Sequence, residues 1–284
     1  MMNAYEELMN FKGAEELHRL IKKWNILSEN ISKRSFDAPI VLPDLFVYTK
    51  PGYGNTKLLA ELSEYLDSKA NLMTFYGDVK FFEYKLEYCN PDHDFDEMHR
   101  FRESVEAAAG FRNEFKGIIR VNVDDWVGHH NEKHFLDFLR YLQVNTAYWM
   151  IILTISSYDE DDKTREMEAI VSMYLRIEKI TLHLPSDKEL VECIAHYLSK
   201  YGLELDEGAK DVLLKSVSVL RENKFFYGMH TIEALSKDIV YNLLSETSSA
   251  YDVITAEMLE DFSADSEYIK RTVVKFKKRE PIGF

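Results

Sequence analysis

The sequence predicts an α/β fold in which a parallel sheet is sandwiched between helices and followed by a small all-helical domain. Short apolar segments of strand length alternate with amphipathic segments of helix length between about residues 45 and 184. Strands that alternate with helices form parallel sheets, and such sheets are covered on both faces. Beyond Pro185 only helical periodicity follows, which predicts a separate helical domain.

Each strand candidate is a short run that is either apolar throughout or alternates aromatic with charged side chains. Runs that are apolar throughout are typical of strands buried on both faces. The run at residues 79–88 alternates, and it is also compatible with an edge hairpin. The candidates, in chain order, are residues 45–48, 72–76, 79–88, 118–123, 148–156 and 177–184.

Apolar residues at every third or fourth position mark the helices between and beyond these strands. In the sheet domain they predict helices at residues 13–34, 58–66, 94–111, 132–143 and 160–174. Beyond the sheet they predict helices at residues 186–201, 206–220 and 229–246, with no strand between them. Ser186 with Glu189 predicts a capping box at the start of the first of these three helices.

These assignments divide the chain into four parts. Residues 1–35 form an N-terminal helical segment, residues 36–185 the α/β core, residues 186–262 a helical lid, and residues 263–284 a basic tail. The lid begins where the last predicted strand gives way to continuous helical periodicity.

Composition and charge restrict the class of protein. The chain has 284 residues and a formal net charge of −14, which disfavours broad binding to nucleic acid. Cys89 and Cys193 form no CxxC pair, which favours a reducing compartment. The first residues resemble no secretion signal, and no apolar run is long enough to span a bilayer. We therefore expect a cytoplasmic protein without a membrane partner.

The segment after the first strand candidate resembles a phosphate-binding loop in part. Such loops read G-x-x-x-x-G-K-[ST], because backbone N–H groups wrap the phosphates, the lysine neutralises them and the hydroxyl holds the metal. In the frame that ends at Thr56, the turn glycines Gly52 and Gly54 and the hydroxyl are present. The first glycine position holds Thr49 and the lysine position holds Asn55.

Two lysines flank the substituted position. Lys57 comes one place late, which turns it about 100° further round a helix and away from the phosphates. Lys50 lies on the loop itself. Taken alone, the segment is equally compatible with an ordinary Pro-Gly turn between a strand and a helix.

The order of further segments along the chain favours the phosphate-binding loop over the ordinary turn. Taken together they resemble an AAA+ ATPase module over about residues 11–261, and the lid is similar to that of bacterial Rubisco-activase-like and sporulation-stage AAA proteins. The resemblance implies a P-loop fold with a parallel sheet and a helical lid. The segments that carry it are residues 11–17, 45–60, 111–125, 148–157, 176–185, 226–231 and 254–259.

The resemblance also implies roles at positions where this chain departs from the family. Asp124 and Asp125 stand as the Walker B carboxylates, the first for the magnesium shell and the second, normally Glu, for activating water. Asp125 is shorter than Glu by one methylene. The sensor-1 asparagine is replaced by Ser156 or Ser157, and the sensor-2 arginine by Thr231.

The remaining site residues follow from the same resemblance. Arg176 stands where the family offers an arginine finger to a neighbour, and with Asp125 it would be catalytic if the chain were active. Thr56 and Asp124 would hold magnesium if a nucleotide binds. The nucleotide-binding residues implied by the resemblance are Gly52, Tyr53, Gly54, Asn55, Thr56 and Lys57.

We interpret the chain as a pseudo-ATPase that serves regulation or assembly. A working site needs positive charge around the transferred phosphoryl group, and two usual sources are replaced here. We expect ATP or ADP with magnesium to bind weakly or not at all, and expect a homo-oligomer or an active AAA+ paralogue as partner. Two alternatives remain open: a functional AAA+ ATPase that uses a relocated lysine, and a clamp-loader-like module associated with nucleic acid.

Overall fold

A computed structural model describes residues 4–34, 42–69, 71–72, 80–88, 96–110, 115–145, 149–156, 162–223, 226–246 and 252–270. Within them the chain forms two compact units. One comprises the residues up to Lys50 together with Asn55–His183, and the other comprises Pro51–Gly54 together with the residues from Leu184 onward.

A parallel sheet of five strands forms the centre of the first unit. Its strand order is β2-β3-β4-β1-β5, and every neighbouring pair is parallel. The strands are β1 (Asp44–Tyr48), β2 (Lys80–Lys85), β3 (Gly117–Asn122), β4 (Trp149–Ile155) and β5 (Ile177–Thr181). The predicted parallel sheet is therefore confirmed.

Burial follows the position of each strand in the sheet. Every residue of β1 and β4 is buried, whereas the edge strands β2 and β5 are partly exposed. Alternate side chains of β1 enter different cores: Leu45 and Val47 point to one face, and Phe46 and Tyr48 to the other. This alternation is the expected result for a parallel sheet covered on both sides.

Helices supply the cover on each face. Apolar residues of α1 (Ala4–Asn10), α2 (Glu15–Ser32) and α3 (Asn55–Asp67) pack in the core that contains Leu45 and Val47. The core that contains Phe46 and Tyr48 takes residues of α4 (Asp96–Ala109), α5 (Lys133–Asn145) and α6 (Asp162–Tyr174). Apart from α1, which no predicted helix covers, the described helices match the predicted ones to within a few residues. The predicted strand at residues 72–76 lies almost wholly outside the described residues.

The second unit is mainly helical, and its helices pack around a core of their own. It contains α7 (Asp187–Ser199), α8 (Glu207–Arg221), α9 (Gly228–Glu246) and a 3-10 segment, Glu257–Phe262. The predicted capping box is confirmed, because Ser186 and Glu189 satisfy each other's backbone N–H at the start of α7. A buried hydroxyl ties α8 to the 3-10 segment, since Ser216 Oγ donates to the Phe262 carbonyl at 2.7 Å.

The expectation that no strand separates the helices of this unit is wrong. Two short strands, β6 (Glu204–Leu205) and β7 (Val253–Ile254), pair in parallel. The Asp206 N–H extends the pairing by donating to the Ile254 carbonyl at 3.0 Å. Strands of this length carry no readable alternation, and the pairing joins residues far apart in the chain.

Among the described residues, no helix combines the length and the hydropathy needed to cross a membrane.

Candidate functional site

The strands β1, β3 and β4 end at the same edge of the sheet, which is where open parallel sheets bind ligands. The ladder continues one residue past β1, since the Thr49 N–H donates to the Ile155 carbonyl at 2.9 Å. Beyond β3 it continues with the Val123 N–H, which donates to the Thr154 carbonyl at 3.0 Å. The residues that follow these bonds, Asp124 among them, therefore lie at the carboxyl edge.

The turn Pro51–Gly54 depends on glycine at Gly52. This residue has φ +88°, a conformation that favours glycine, and Gly54 has φ +77°. The Gly52 carbonyl accepts a hydrogen bond from the Met229 N–H at 2.6 Å. A Cβ at Gly52 would lie 2.6 Å from the Tyr227 carbonyl oxygen, so the close approach excludes any side chain.

The start of α3 carries an asparagine where a phosphate-binding loop carries lysine. Asn55 Oδ1 accepts a hydrogen bond from the Thr56 N–H at 3.0 Å, so the side chain occupies one backbone donor of the first turn. The N–H groups of Gly54 and Asn55 donate no hydrogen bond within the described part of the chain. Lys57 is exposed, and no described residue forms an ion pair with it. The helix therefore begins with free backbone donors but without a fixed cation from its own sequence.

A charged cluster surrounds the hydroxyl of Thr56. Arg120 Nη1 lies 3.2 Å from Thr56 Oγ1 and 2.5 Å from Glu83 Oε1. The Thr56 hydroxyl in turn donates to Glu83 Oε1 at 3.2 Å. Glu83 and Arg120 are register partners on β2 and β3, which explains why the pair forms.

A second contact fixes the guanidinium on the sheet. Arg120 Nε donates to Thr154 Oγ1 on β4 at 3.4 Å, and only 14% of the Arg120 side chain is exposed. An arginine bonded through two of its three nitrogens has little freedom to move. The chain thus places its own cation beside the hydroxyl that would hold a metal.

Protein donors also hold the carboxylate of Asp124. Asp124 Oδ2 accepts from the Ser156 hydroxyl at 2.6 Å and from Asn122 Nδ2 at 2.8 Å. Asp124 Oδ1 accepts from the Ser156 N–H. Ser156, which follows β4, thereby contacts Asp124, which lies two residues beyond the end of β3. Ser157 lies outside the described residues.

Asp125 is paired with a lysine at the end of β2. Lys85 Nζ lies 2.8 Å from Asp125 Oδ2, and both side chains are well exposed. The hydrogen bond to Asp125, followed by the charge of that carboxylate, raises the pKa of Lys85.

Two further predicted residues are not among the contacts described so far: Arg176 lies at the other edge of the sheet, and Thr231 belongs to the second unit. Arg176 precedes β5 and is exposed, and its carbonyl accepts from the Asp44 N–H at the start of β1, so it lies at the amino edge. Thr231 lies in the first turn of α9, where its hydroxyl accepts from the Tyr227 N–H at 2.9 Å. The Thr231 side chain thus acts as a helix cap.

The donor set at the carboxyl edge does not fit a magnesium ion. Magnesium requires oxygen ligands at short distance in octahedral geometry, and a threonine hydroxyl is the usual one from a phosphate-binding loop. Here the Thr56 hydroxyl donates to Glu83 and accepts from Arg120, whose positive charge repels a second cation. The free N–H groups of Gly54 and Asn55, by contrast, do fit an anionic oxygen.

Three charged residues at this edge have no role that the sequence motifs assign, and they are Arg120, Glu83 and Lys85. Glu83 and Lys85 lie on an alternating strand, and the pattern alone does not say which strand lies beside it. The available signal was a charged residue on each of two strands that proved to be neighbours.

Comparison with solved structures supports the fold. The chain is similar to a point mutant of Thermotoga maritima RuvB, with 13% identity, 97% of this chain and 83% of that chain covered, and a TM-score of 0.50. It is also similar to PCH-2 of C. elegans, with 13% identity, 92% and 69% covered, and a TM-score of 0.49. No protein-family model and no curated protein matches the chain. The likeness to the RuvB mutant shows the fold alone, which is a parallel sheet flanked by helices.

Proposed function

We propose that this chain is a nucleotide-binding module of AAA+ fold that hydrolyses ATP poorly or not at all and acts in regulation or assembly. One observation carries the proposal. The groups that would bind magnesium and activate water, Thr56, Asp124 and Asp125, are each bonded to other side chains of the chain. The lysine position holds Asn55.

Binding is supported by the backbone at the start of α3. The N–H groups of Gly54 and Asn55 are without acceptors in the described part of the chain, and a helix N-terminus favours anions. ATP or ADP is the ligand that the AAA+ fold suggests. Affinity is expected to be modest, because the turn supplies no lysine to the phosphates.

Poor hydrolysis follows from missing electrostatic stabilisation. Losing one such donor costs on the order of 10²–10³-fold in rate. Asp125 is shorter than the usual glutamate and is paired with Lys85. Positioning errors of about 1 Å cost a further factor on the order of 10².

We further propose that the module works in an assembly. Arg176 is exposed at the amino edge of the sheet, where the AAA+ resemblance suggests contact with a neighbour. The partner is a second copy or an active AAA+ paralogue, in the cytoplasm. We assign residues 36–185 to the core, residues 186–262 to the lid, residues 1–35 to a preceding helical segment and residues 263–284 to a basic tail.

Titration with a fluorescent ATP analogue tests the binding part of this proposal. We expect saturable binding to the wild-type protein, competed by ATP and ADP. Asn55→Lys restores a loop cation and is expected to tighten binding about tenfold, since a hydrogen bond to a charged group contributes about 1.5 kcal/mol or more. Gln143→Lys, an exposed change on α5, is the charge-matched control. Absence of saturable binding in both wild type and Asn55→Lys would contradict the proposal.

A second candidate is an ATPase with a relocated lysine. The observation that favours it is the exposed Lys57, which forms no ion pair with a described residue. Loss of measurable turnover in Lys57→Ala, with an unchanged melting temperature, would support this candidate and displace the first.

A further inference from the structure

We propose that Arg120 takes the place of the magnesium ion, so that this chain binds the phosphates of a nucleoside di- or triphosphate without a metal. The proposal rests on the proposed nucleotide binding and specifies the chemistry of that site. It concerns only the cluster at the carboxyl edge of the sheet, where Arg120 reaches the hydroxyl of Thr56.

The positive charge of Arg120 lies where a phosphate-binding loop would place its metal. In a phosphate-binding loop the threonine hydroxyl holds the metal that neutralises the phosphates. In this chain Arg120 Nη1 lies 3.2 Å from that hydroxyl, so a cation already stands next to the metal-binding oxygen. The hydroxyl's own hydrogen is directed to Glu83, which leaves its oxygen to accept from the guanidinium.

Part of the guanidinium is available to a ligand. Nη1 bonds to Glu83 and Thr56, and Nε bonds to Thr154. Among the described residues, Nη2 donates no hydrogen bond, and the Arg120 side chain forms no hydrogen bond or ion pair beyond those with these three residues. Both Nη2 hydrogens can therefore donate to anionic oxygens, and arginine binds phosphate with this geometry.

The cluster also opposes a second cation. A divalent ion bound to Thr56 would lie close to the guanidinium, and two positive charges at that separation repel each other. The single negative charge of Glu83 is already balanced by Arg120, so Glu83 leaves no net negative charge to attract a metal ion. Thr56 and Glu83 therefore bind the guanidinium of Arg120 instead of a magnesium ion.

The proposal predicts an unusual metal dependence. A titration of the wild-type protein with fluorescent ATP analogue in excess EDTA should give the same affinity as one in excess magnesium. Arg120→Leu should weaken binding in EDTA about tenfold, by the loss of one charged hydrogen-bonding partner. Arg120→Lys keeps the positive charge but lacks the planar guanidinium. Its affinity in EDTA should fall between that of the wild-type protein and that of Arg120→Leu.

Two further variants complete the experiment. Arg140→Leu removes an exposed arginine of α5 that pairs with Asp137, and it should leave the affinity unchanged. Glu83→Gln releases the guanidinium from its carboxylate and should tighten binding in EDTA severalfold. This variant also keeps the test informative if Arg120→Leu fails to fold, which circular dichroism would show.

Three results separate the possible failures. Binding to the wild-type protein that requires magnesium would overturn the role of Arg120 and leave the proposed nucleotide binding intact. Equal affinities for wild type, Arg120→Leu and Glu83→Gln in EDTA would likewise overturn the role of Arg120 without contradicting nucleotide binding. No binding under either condition would overturn the nucleotide site itself, and this inference with it.

Discussion

Asp44 is a buried carboxyl at the amino end of β1. Its Oδ1 accepts a hydrogen bond from the Ile151 N–H at 2.7 Å, and only 6% of the residue is exposed. Burial raises its pKa from 3.8 to about 7, against the opposing effect of the Ile151 N–H. The folded state therefore prefers the protonated acid.

This preference gives a pH dependence with a definite sign. Between pH 4 and pH 7 the folded chain holds a proton on Asp44 that the unfolded chain has released, so stability falls as the pH rises. Asn at this position keeps the acceptor and does not titrate. The free energy of unfolding of Asp44→Asn, minus that of wild type, should therefore be about 2 kcal/mol larger at pH 8 than at pH 5.

Urea unfolding followed by tryptophan fluorescence measures this difference. All three tryptophans, Trp24, Trp126 and Trp149, belong to the sheet unit, so the signal reports the unit that contains Asp44. Asp67→Asn, an exposed change at the end of α3, is the control. A gain that is the same at both pH values would contradict the buried-acid interpretation.

At the scale of elements, the turn at Gly52 requires glycine because there is no room for a side chain. Gly52 and Gly228 approach so closely that a Cβ on either would overlap backbone of the other segment. Such an overlap adds to the cost of a positive φ, which is about 1 kcal/mol or more for a residue with a side chain.

Gly52→Ala should therefore lower the free energy of unfolding of the second unit. The loss should exceed the cost of a positive φ by about 2 kcal/mol, because the added Cβ also overlaps the backbone. Gly202→Ala in the same unit is the matched control, since Gly202 has φ +75° and open space around an added Cβ. Thermal unfolding followed by circular dichroism compares the two variants. Equal losses would show that the contact with Tyr227 is not tight.

Most strands and helices could be predicted from the sequence, because long apolar or amphipathic segments have clear periods. The strand candidate at residues 118–123 and the observed β3 (Gly117–Asn122) differ by one residue at each end. The pairing of β6 with β7 could not be predicted, because each strand is too short for a period. Strand order, which brings Glu83 beside Arg120, is a property of the folded chain that no local pattern contains.

The candidate site was predicted as a set of positions rather than as a set of contacts. The turn glycines, Thr56 and Asp124 were identified because motifs specify residue types at fixed spacing. Their partners were missed because side chains from different strands meet only after folding. Arg120 shows the difference, since its charge was visible in the sequence and its contact with Thr56 was not.

At the scale of the whole molecule, charge limits the partners of this chain. A formal net charge of −14 opposes binding to a phosphate backbone, which weighs against a nucleic-acid module. The same net charge raises the importance of any fixed cation that faces a nucleotide phosphate. On this account the chain relies on Arg120 for that charge and on an active partner for hydrolysis.

A single-turnover experiment tests the central claim most directly. The wild-type protein, in excess over radiolabelled ATP and with magnesium present, is sampled over hours, so that slow product release cannot hide a chemical step. The account predicts bound ATP with no phosphate formed above the protein-free background. Phosphate formed at rates typical of AAA+ ATPases, and abolished by Asp124→Ala or Asp125→Ala in folded protein, would contradict it.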